Sequence, residues 1–328
     1  MSAISKIQWT DRTWNPVRGC SIVSPGCVNC YAMKQAHRFS GEGRAYHGLT
    51  KQTSAGPQWT GKIRTVSDAL LEPLSWRKPA RVFVNSMSDL FHEDVPDVFI
   101  VEVFATMALA HRHTFQILTK RPERMRQWFA ANGRAADVAV AVFKRFPRLR
   151  QADVESRRAV KQWPLPNVWL GVSAEDQQRA DERIPLLLQT PAAVRFVSAE
   201  PLLGPIDLER VPLPGAAERW YELKGVAQPA AEKDTEPDDW KYWTRRQSRL
   251  DWVIVGGESG LRARPCHTDW IADVVAQCGR ASVPCFVKQL GANGYQLPGG
   301  YPLRDRKGGD PSEWPDDLRV REFPAVSR

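Results

Sequence analysis

Arg81-Val82-Phe83-Val84-Asn85-Ser86-Met87-Ser88-Asp89 (81–89) passes within a few residues from a β-branched apolar run to hydroxyls and a carboxylate. A short, nearly continuous apolar run marks a parallel strand covered on both faces. The same transition recurs along the chain. TFQILT (114–119) leads into Lys120 and Arg121, and VWLGV (168–172) leads into Ser173, Glu175 and Asp176. VRFVS (194–198) precedes Glu200, DWVIVG (251–256) precedes Gly257 and Glu258, and PCFVK (284–288) ends on Lys288 before Gln289. RTWNPVR (12–18) supplies a seventh candidate strand.

Helical patterns fill the intervals, at 27–39, 96–111, 122–131, 177–190 and 267–280. PDVFIVEVFATMALAH (96–111) is apolar almost all round, which predicts a buried helix with Pro96 in its first turn. On the last helix Trp270, Val274 and Cys278 share one face. Strand–helix alternation predicts an α/β fold with a parallel sheet, and seven strands predict a partial or complete TIM-type (β/α) barrel. The barrel domain is placed over 1–291. A helical insertion is expected at about 131–166, a Pro- and charge-rich loop insertion at about 205–250, and a tail packing on the barrel at 292–328. In such a barrel the C-terminal strand ends meet at one mouth, so their polar residues form a candidate active-site face.

Composition narrows the class. The 328 residues are 42% hydrophobic and 25% charged, the balance of a soluble globular protein. No apolar run reaches the length of a membrane span, and MSAISKIQWTDRTWNP lacks an apolar signal core, so a cytoplasmic protein with no membrane partner is expected. The net charge is +9. Residues 1–65 hold nine Lys/Arg against two Asp/Glu (+7), and 131–162 hold eight against three (+5). Such concentration favours an anionic partner, nucleic acid first and DNA before RNA, against the alternative of a solvated basic surface. Trp9, Trp14 and Trp59 lie in the basic N-terminal part and are candidates for base stacking, or else core residues.

Three of the six cysteines fall in Gly19-Cys20-Ser21-Ile22-Val23-Ser24-Pro25-Gly26-Cys27-Val28-Asn29-Cys30-Tyr31. Three thiolates on one loop can hold three irons of a cubane and leave the fourth open. The alternative is structural zinc on the same cysteines, with His37 or His47 as fourth ligand, in a nucleic-acid-binding protein. A hydrolase using the strand-end acids is a third reading. Cys278 and Cys285 read as core. Cys266 follows Arg262 and Arg264, a setting expected to lower a thiol pKa.

The loop resembles the cluster loop of radical S-adenosylmethionine enzymes, and its Cys30-Tyr31 step is similar to that of the spore photoproduct lyases. The chain as a whole resembles a phage- and bacteria-borne three-cysteine-motif family. The matching pieces are IQWTDRTWNPVRGC (7–20), SPGCVNCYA (24–32), FVNSMSDLFHEDVP (83–96), ILTKRP (117–122), LGVSAED (170–176), RFVSAEPLLGPI (195–206), WVIVGGESG (252–260), ARP (263–265) and KQLG (288–291). The cysteine spacing, x6 then x2, and the late position of Gly256-Gly257-Glu258 depart from the usual radical-enzyme pattern.

The resemblance implies a radical S-adenosylmethionine-like barrel enzyme with a 4Fe–4S cluster on Cys20, Cys27 and Cys30. S-adenosylmethionine would chelate the open iron and be cleaved to a radical that takes hydrogen from a substrate. An electron donor would serve the cluster, and DNA repair or modification is the expected setting. Candidate cofactor-binding residues are Tyr31, Ser86, Ser88, Asp89, Lys120, Arg121, Glu175, Glu200, Glu258 and Lys288. Cys266 is the candidate hydrogen donor to a product radical.

Overall fold

The computed structural model describes residues 5–145, 162–212, 220–222, 225–226, 249–295 and 303–325. All seven expected strands form: β1 (Arg12–Trp14), β2 (Arg81–Val84), β3 (Thr114–Thr119), β4 (Val168–Ser173), β5 (Val194–Ala199), β6 (Trp252–Gly256) and β7 (Cys285–Gln289). β1 is shorter than expected because Pro16 brings no N–H to a ladder. The strands hydrogen-bond in chain order in one seven-stranded sheet. The β1–β2, β2–β3, β5–β6 and β6–β7 pairs are parallel. Parallel strands in chain order, joined through helices, are the topology of a partial TIM-type barrel. β4, β5 and β6 are buried at every position, as continuous apolar runs require.

Two compact units divide the chain, 1–170 with 190–193 and 171–189 with 194–328, and the division falls inside β4. In the first, α1 (Tyr31–His37), α2 (Asp97–Leu109), α3 (Pro122–Ala130) and α4 (Arg134–Arg145) accompany β1–β3. Ten of the thirteen α2 residues are buried, as its uniform apolarity predicts. Pro96 is its extended N-cap rather than a first-turn residue. Phe104 of α2 packs on Trp128 (4.7 Å) and Phe129 (5.5 Å) of α3. Burial of such a ring is worth roughly 2–3 kcal/mol. The N-terminal tryptophans belong to the core. Trp9, Trp14 and Trp59 are all buried, Trp9 lies 4.7 Å from Phe83, and Trp14 Nε1 donates to the Ala69 carbonyl at 2.7 Å. Base stacking on them is therefore corrected: none presents a ring face to solvent. α4 lies in the expected helical insertion, whose residues 146–161 fall outside the described part.

The second unit carries α5 (Gln177–Leu188) and α6 (Thr268–Ala281). The buried face of α6 holds Ile271, Val274 and Cys278, while Trp270 is half-exposed and packs on His267 at 4.5 Å. Of the expected 205–250 insertion, the short strands Val211–Pro212, Trp220–Glu222 and Gly225–Val226 form a small antiparallel sheet, and 227–248 lie outside the described residues. The tail covers the outer edge of β7. Val287 N donates to Val320 O and Glu322 N to Cys285 O, each at 2.8 Å. Phe323 lies 5.3 Å from both Trp252 and Phe286, and Trp252 Nε1 donates to Glu322 O at 2.9 Å. An uncovered parallel edge would offer its free amides and carbonyls to another chain. Among the described residues, no helix is long and apolar enough to cross a membrane.

Two predictions follow from this packing. Ending the chain after Leu318 removes the covering segment and Phe323. Urea unfolding should then show a loss of about 3 kcal/mol or more, with concentration-dependent aggregation. An unchanged midpoint would mean that the edge needs no cover. The second concerns His113, which is buried with Nε2 3.1 Å from the Pro73 carbonyl. Burial, then Arg112 and Arg12, hold its pKa below the ordinary 6.5 against two backbone hydrogen bonds. Below pH 6.5 the unfolded chain takes up a proton that the fold refuses, so stability falls as pH drops through that value. His113→Gln should flatten part of this slope in urea midpoints measured between about pH 7 and 5. An identical slope would show that His113 titrates as freely folded as unfolded.

Candidate metal and cofactor site at the cysteine loop

The loop begins where β1 ends. Val17–Arg18 pairs with Arg64–Thr65, and Gly19 bridges to Ser88. Gly19 has φ +91°, and a Cβ there would stand 2.1 Å from the Lys62 carbonyl oxygen. Only glycine lets the chain pass that carbonyl and turn into Cys20. Pro25–Cys27 then makes one 3-10 turn, closed by Cys27 N to Ser24 O (2.9 Å) and Val28 N to Pro25 O (3.2 Å). Cys30 N donates to Cys27 O at 3.2 Å, and Cys30 is the N-cap residue of α1.

All three thiols are free and partly buried. Cys20 and Cys30 pack on a small core of Ala32, Met33, Ala36, Tyr46, Leu49 and Trp59. Burial pushes the Cys20 thiol up to about 12, Asp89 and the other two cysteines push the same way, and Arg121 opposes them. Burial also raises Cys30, against the Ala32 and Met33 amides and the Lys120 charge. Burial thus prevails over the nearby cations at both Cys20 and Cys30.

Arg121 is the hub. Its side chain is 8% exposed. Nη1 donates to Asp89 Oδ2 (3.1 Å) and approaches Cys20 Sγ (3.9 Å), Nε donates to Glu93 Oε2 (2.8 Å), and Nη2 donates to Ser21 Oγ (2.6 Å). Asp89 is buried and also accepts from Thr119 Oγ1 (2.8 Å), Lys120 N (3.1 Å) and Phe91 N (3.0 Å). His92 completes the cage. Its Nδ1 accepts from Asp94 N at 3.2 Å, so Nε2 carries the hydrogen and donates to Ser21 Oγ at 2.9 Å. Burial, with Arg121 beside it, lowers the His92 pKa and keeps the ring neutral. Ser21, His92 and Glu93 are not among the sequence-derived candidates. Their signal was the acid–histidine–acid spacing 89–92–93 ahead of a strand-end arginine that needs carboxylate partners.

The structure brings nine of the candidates together in the first unit. Beside the three cysteines and Arg121, Tyr31 OH donates to Ser86 O (2.5 Å), Ser86 Oγ to Asn15 Oδ1 (3.2 Å) and Ser88 Oγ to Val17 O (2.7 Å). These bonds tie the loop and β1 to the end of β2. Lys120 is half-buried and has no carboxylate partner among the described residues. The remaining candidates lie in the second unit, each acid paired there. Glu175 meets Arg183 at 3.0 Å, Glu200 pairs with Lys288, and Glu258 takes Arg264 bidentately at 2.6 and 3.0 Å. Cys266 departs from expectation. It is fully buried, and burial pushes its thiol up to about 12 where nearby arginines were expected to lower it.

Among the described residues, no three His, Cys, Asp or Glu side chains stand close enough to share one metal ion. A zinc site needs its donors within about 2.0–2.3 Å of one point. In a cubane each thiolate takes a different iron, so its sulfurs stand farther apart. Three free cysteine thiols on one loop are donors of the kind a cluster takes. His37, a candidate zinc ligand, shares Nδ1 with Thr50 Oγ1 at 3.1 Å, and His47 is exposed.

Gly19→Ala should cost about 1–3 kcal/mol in urea unfolding, since either the Lys62 carbonyl or the loop must move. In the native protein Cys20 should react slowly with a thiol reagent at mildly alkaline pH, and in the variant faster. Unchanged stability and reactivity would show that the glycine does not set the loop.

No curated protein and no solved structure matches the chain. One family model does, over residues 4–305, so it reaches into both units and stops short of the segment that covers β7. The chain belongs to the family described as Protein of unknown function (DUF5131).

Proposed function

We propose that Cys20, Cys27 and Cys30 hold a 4Fe–4S cluster with one iron open to S-adenosylmethionine, and that the protein performs radical chemistry on a nucleic acid, DNA before RNA. The observation that carries this reading is three free, partly buried thiols on one loop that follows β1. The likeness to radical S-adenosylmethionine enzymes and the parallel strand order support it. Such a cluster, when bound, supplies one-electron reduction.

The chain's own residues have distinct tasks. Arg121 places a fixed positive charge beside Cys20, which favours the thiolate a metal requires. Its tether through Ser21 and Asp89 holds the loop to the ends of β2 and β3. Lys120, with no carboxylate of its own, suits the cofactor's carboxylate. The Ala32 and Met33 amides at the start of α1 offset charge on Cys30. Glu175, Glu200 and Glu258 are already neutralised by partners and act as scaffold in this reading. Nucleic acid as substrate rests on the +9 charge, since the tryptophans are core.

Anaerobic reconstitution with iron and sulfide tests the reading. Brown protein with about four iron and four sulfide per chain is expected, and reductant should then drive cleavage of S-adenosylmethionine. Cys20→Ser, Cys27→Ser and Cys30→Ser should each lower iron content. Colourless protein that takes up one zinc instead would replace this reading with the structural-zinc one.

A further inference from the structure

Val17–Arg18 and Arg64–Thr65 form a two-stranded antiparallel ribbon in which Arg18 stands directly opposite Arg64. Residues so paired send their side chains from the same face, and two like charges there repel. The structure does not separate them. Arg18 Nη1 lies 3.5 Å and Arg64 Nη1 3.3 Å from one acceptor, the Ala45 carbonyl oxygen, and Arg64 Nη2 donates to His47 O at 3.0 Å. The Arg18 guanidinium lies over the Tyr46 ring, 5.8 Å from its centroid. Among the described residues neither guanidinium has a carboxylate partner. Between Gly19 and Thr65 the chain offers one acid, Glu42, against six Lys/Arg. The buried arginines of this protein are treated otherwise: Arg121 is paired with Asp89 and Glu93, and Arg183 with Glu175. Arg18 and Arg64 are thus brought together with no anion of the chain between them.

We propose that Arg18 and Arg64 clamp one phosphate of a nucleic-acid strand, a proposal that rests on the nucleic-acid part of the reading above and on none of its iron chemistry. A guanidinium carries five N–H donors, of which Arg18 spends one here and Arg64 two. The donors left over come from two neighbouring forks. A phosphate has oxygens on several sides and accepts from both, whereas a planar carboxylate is filled by one. An anion held between the guanidiniums also cancels their repulsion. Exposed Arg38, Arg44, Lys51 and Lys62 lie in the same stretch and make no ion pair among the described residues. A strand presents these cations with further phosphates, while a single free phosphate ion leaves them unused. Arg18 leads through Gly19 into Cys20, so a strand gripped here lies beside the cysteine loop. The clamp positions the backbone and reads no sequence.

Fluorescence anisotropy of a short labelled DNA, single- and double-stranded, titrated with the full chain at several salt concentrations, tests the clamp. Arg18→Gln and Arg64→Gln should each weaken binding about tenfold at low salt. The double variant should lose little more than either, because both forks serve one phosphate. The slope of log Kd against log salt should shrink by about one in the single variants and in the double alike. Arg18→Lys keeps the charge and loses the fork, so it should not restore binding. Urea midpoints show whether each variant is folded, and Arg64→Lys stands in for a glutamine variant that is not. Additive losses, or wild-type affinity in the lysine variants, mean a diffuse basic surface and overturn the clamp. So does a wild type that takes up inorganic phosphate at this pair but no DNA, or that binds neither. Iron-free protein that binds DNA through both arginines supports the clamp even where the cluster reading fails. Cluster-loaded protein whose DNA binding ignores them sinks the clamp and leaves the cluster reading standing.

Discussion

A guanidinium removed from water sets the geometry of the first unit. Arg121 follows β3, and its side chain is 8% exposed. Taking that charge out of water costs several kcal/mol unless it is paired and fully hydrogen-bonded. Asp89 and Glu93 supply the countercharge, and Ser21 accepts the remaining fork of the guanidinium. Asp89 in turn is held by Thr119 and two backbone amides. Removing one partner would leave a buried charge uncompensated, so the ends of β2 and β3 and the start of the cysteine loop are positioned together.

The same hub explains the state of the thiols. Burial raises Cys20 and Cys30, while Arg121 and Lys120 pull them back toward ionisation. Burial prevails at both, with Asp89 adding to it at Cys20, and a positively charged metal is what would draw off these protons. Neutral His92 adds no positive charge. It spends its one hydrogen on Ser21, so the opposing charges felt by Cys20 are those of Asp89 and Arg121.

The second unit treats its strand-end charges differently. Glu175, Glu200 and Glu258 each have a basic partner within that unit. Arg183 lies on α5 after β4 and Arg264 in the loop after β6, so each of these pairs ties a strand end to the segment that follows it, and Lys288 joins the end of β7 to the end of β5. A row of acids at strand ends looks alike in sequence whether it binds a ligand or ties crossovers down. Here pairing distinguishes the acids from Lys120, which has no such partner among the described residues.

The amino-acid sequence alone determined the seven strands, their order along the chain and the all-buried α2, because burial on both faces demands continuous apolar runs. It also determined the neighbourhood of the three cysteines, since one short loop confines them. Tertiary structure decided the rest. It sent Trp9, Trp14 and Trp59 inward and buried Cys266 so that its thiol rises. It also drew His92 and Glu93, some seventy residues from Ser21, into the cage around Arg121. Desolvation and ion pairing depend on what surrounds a group in space, and spacing along the chain carries no record of that.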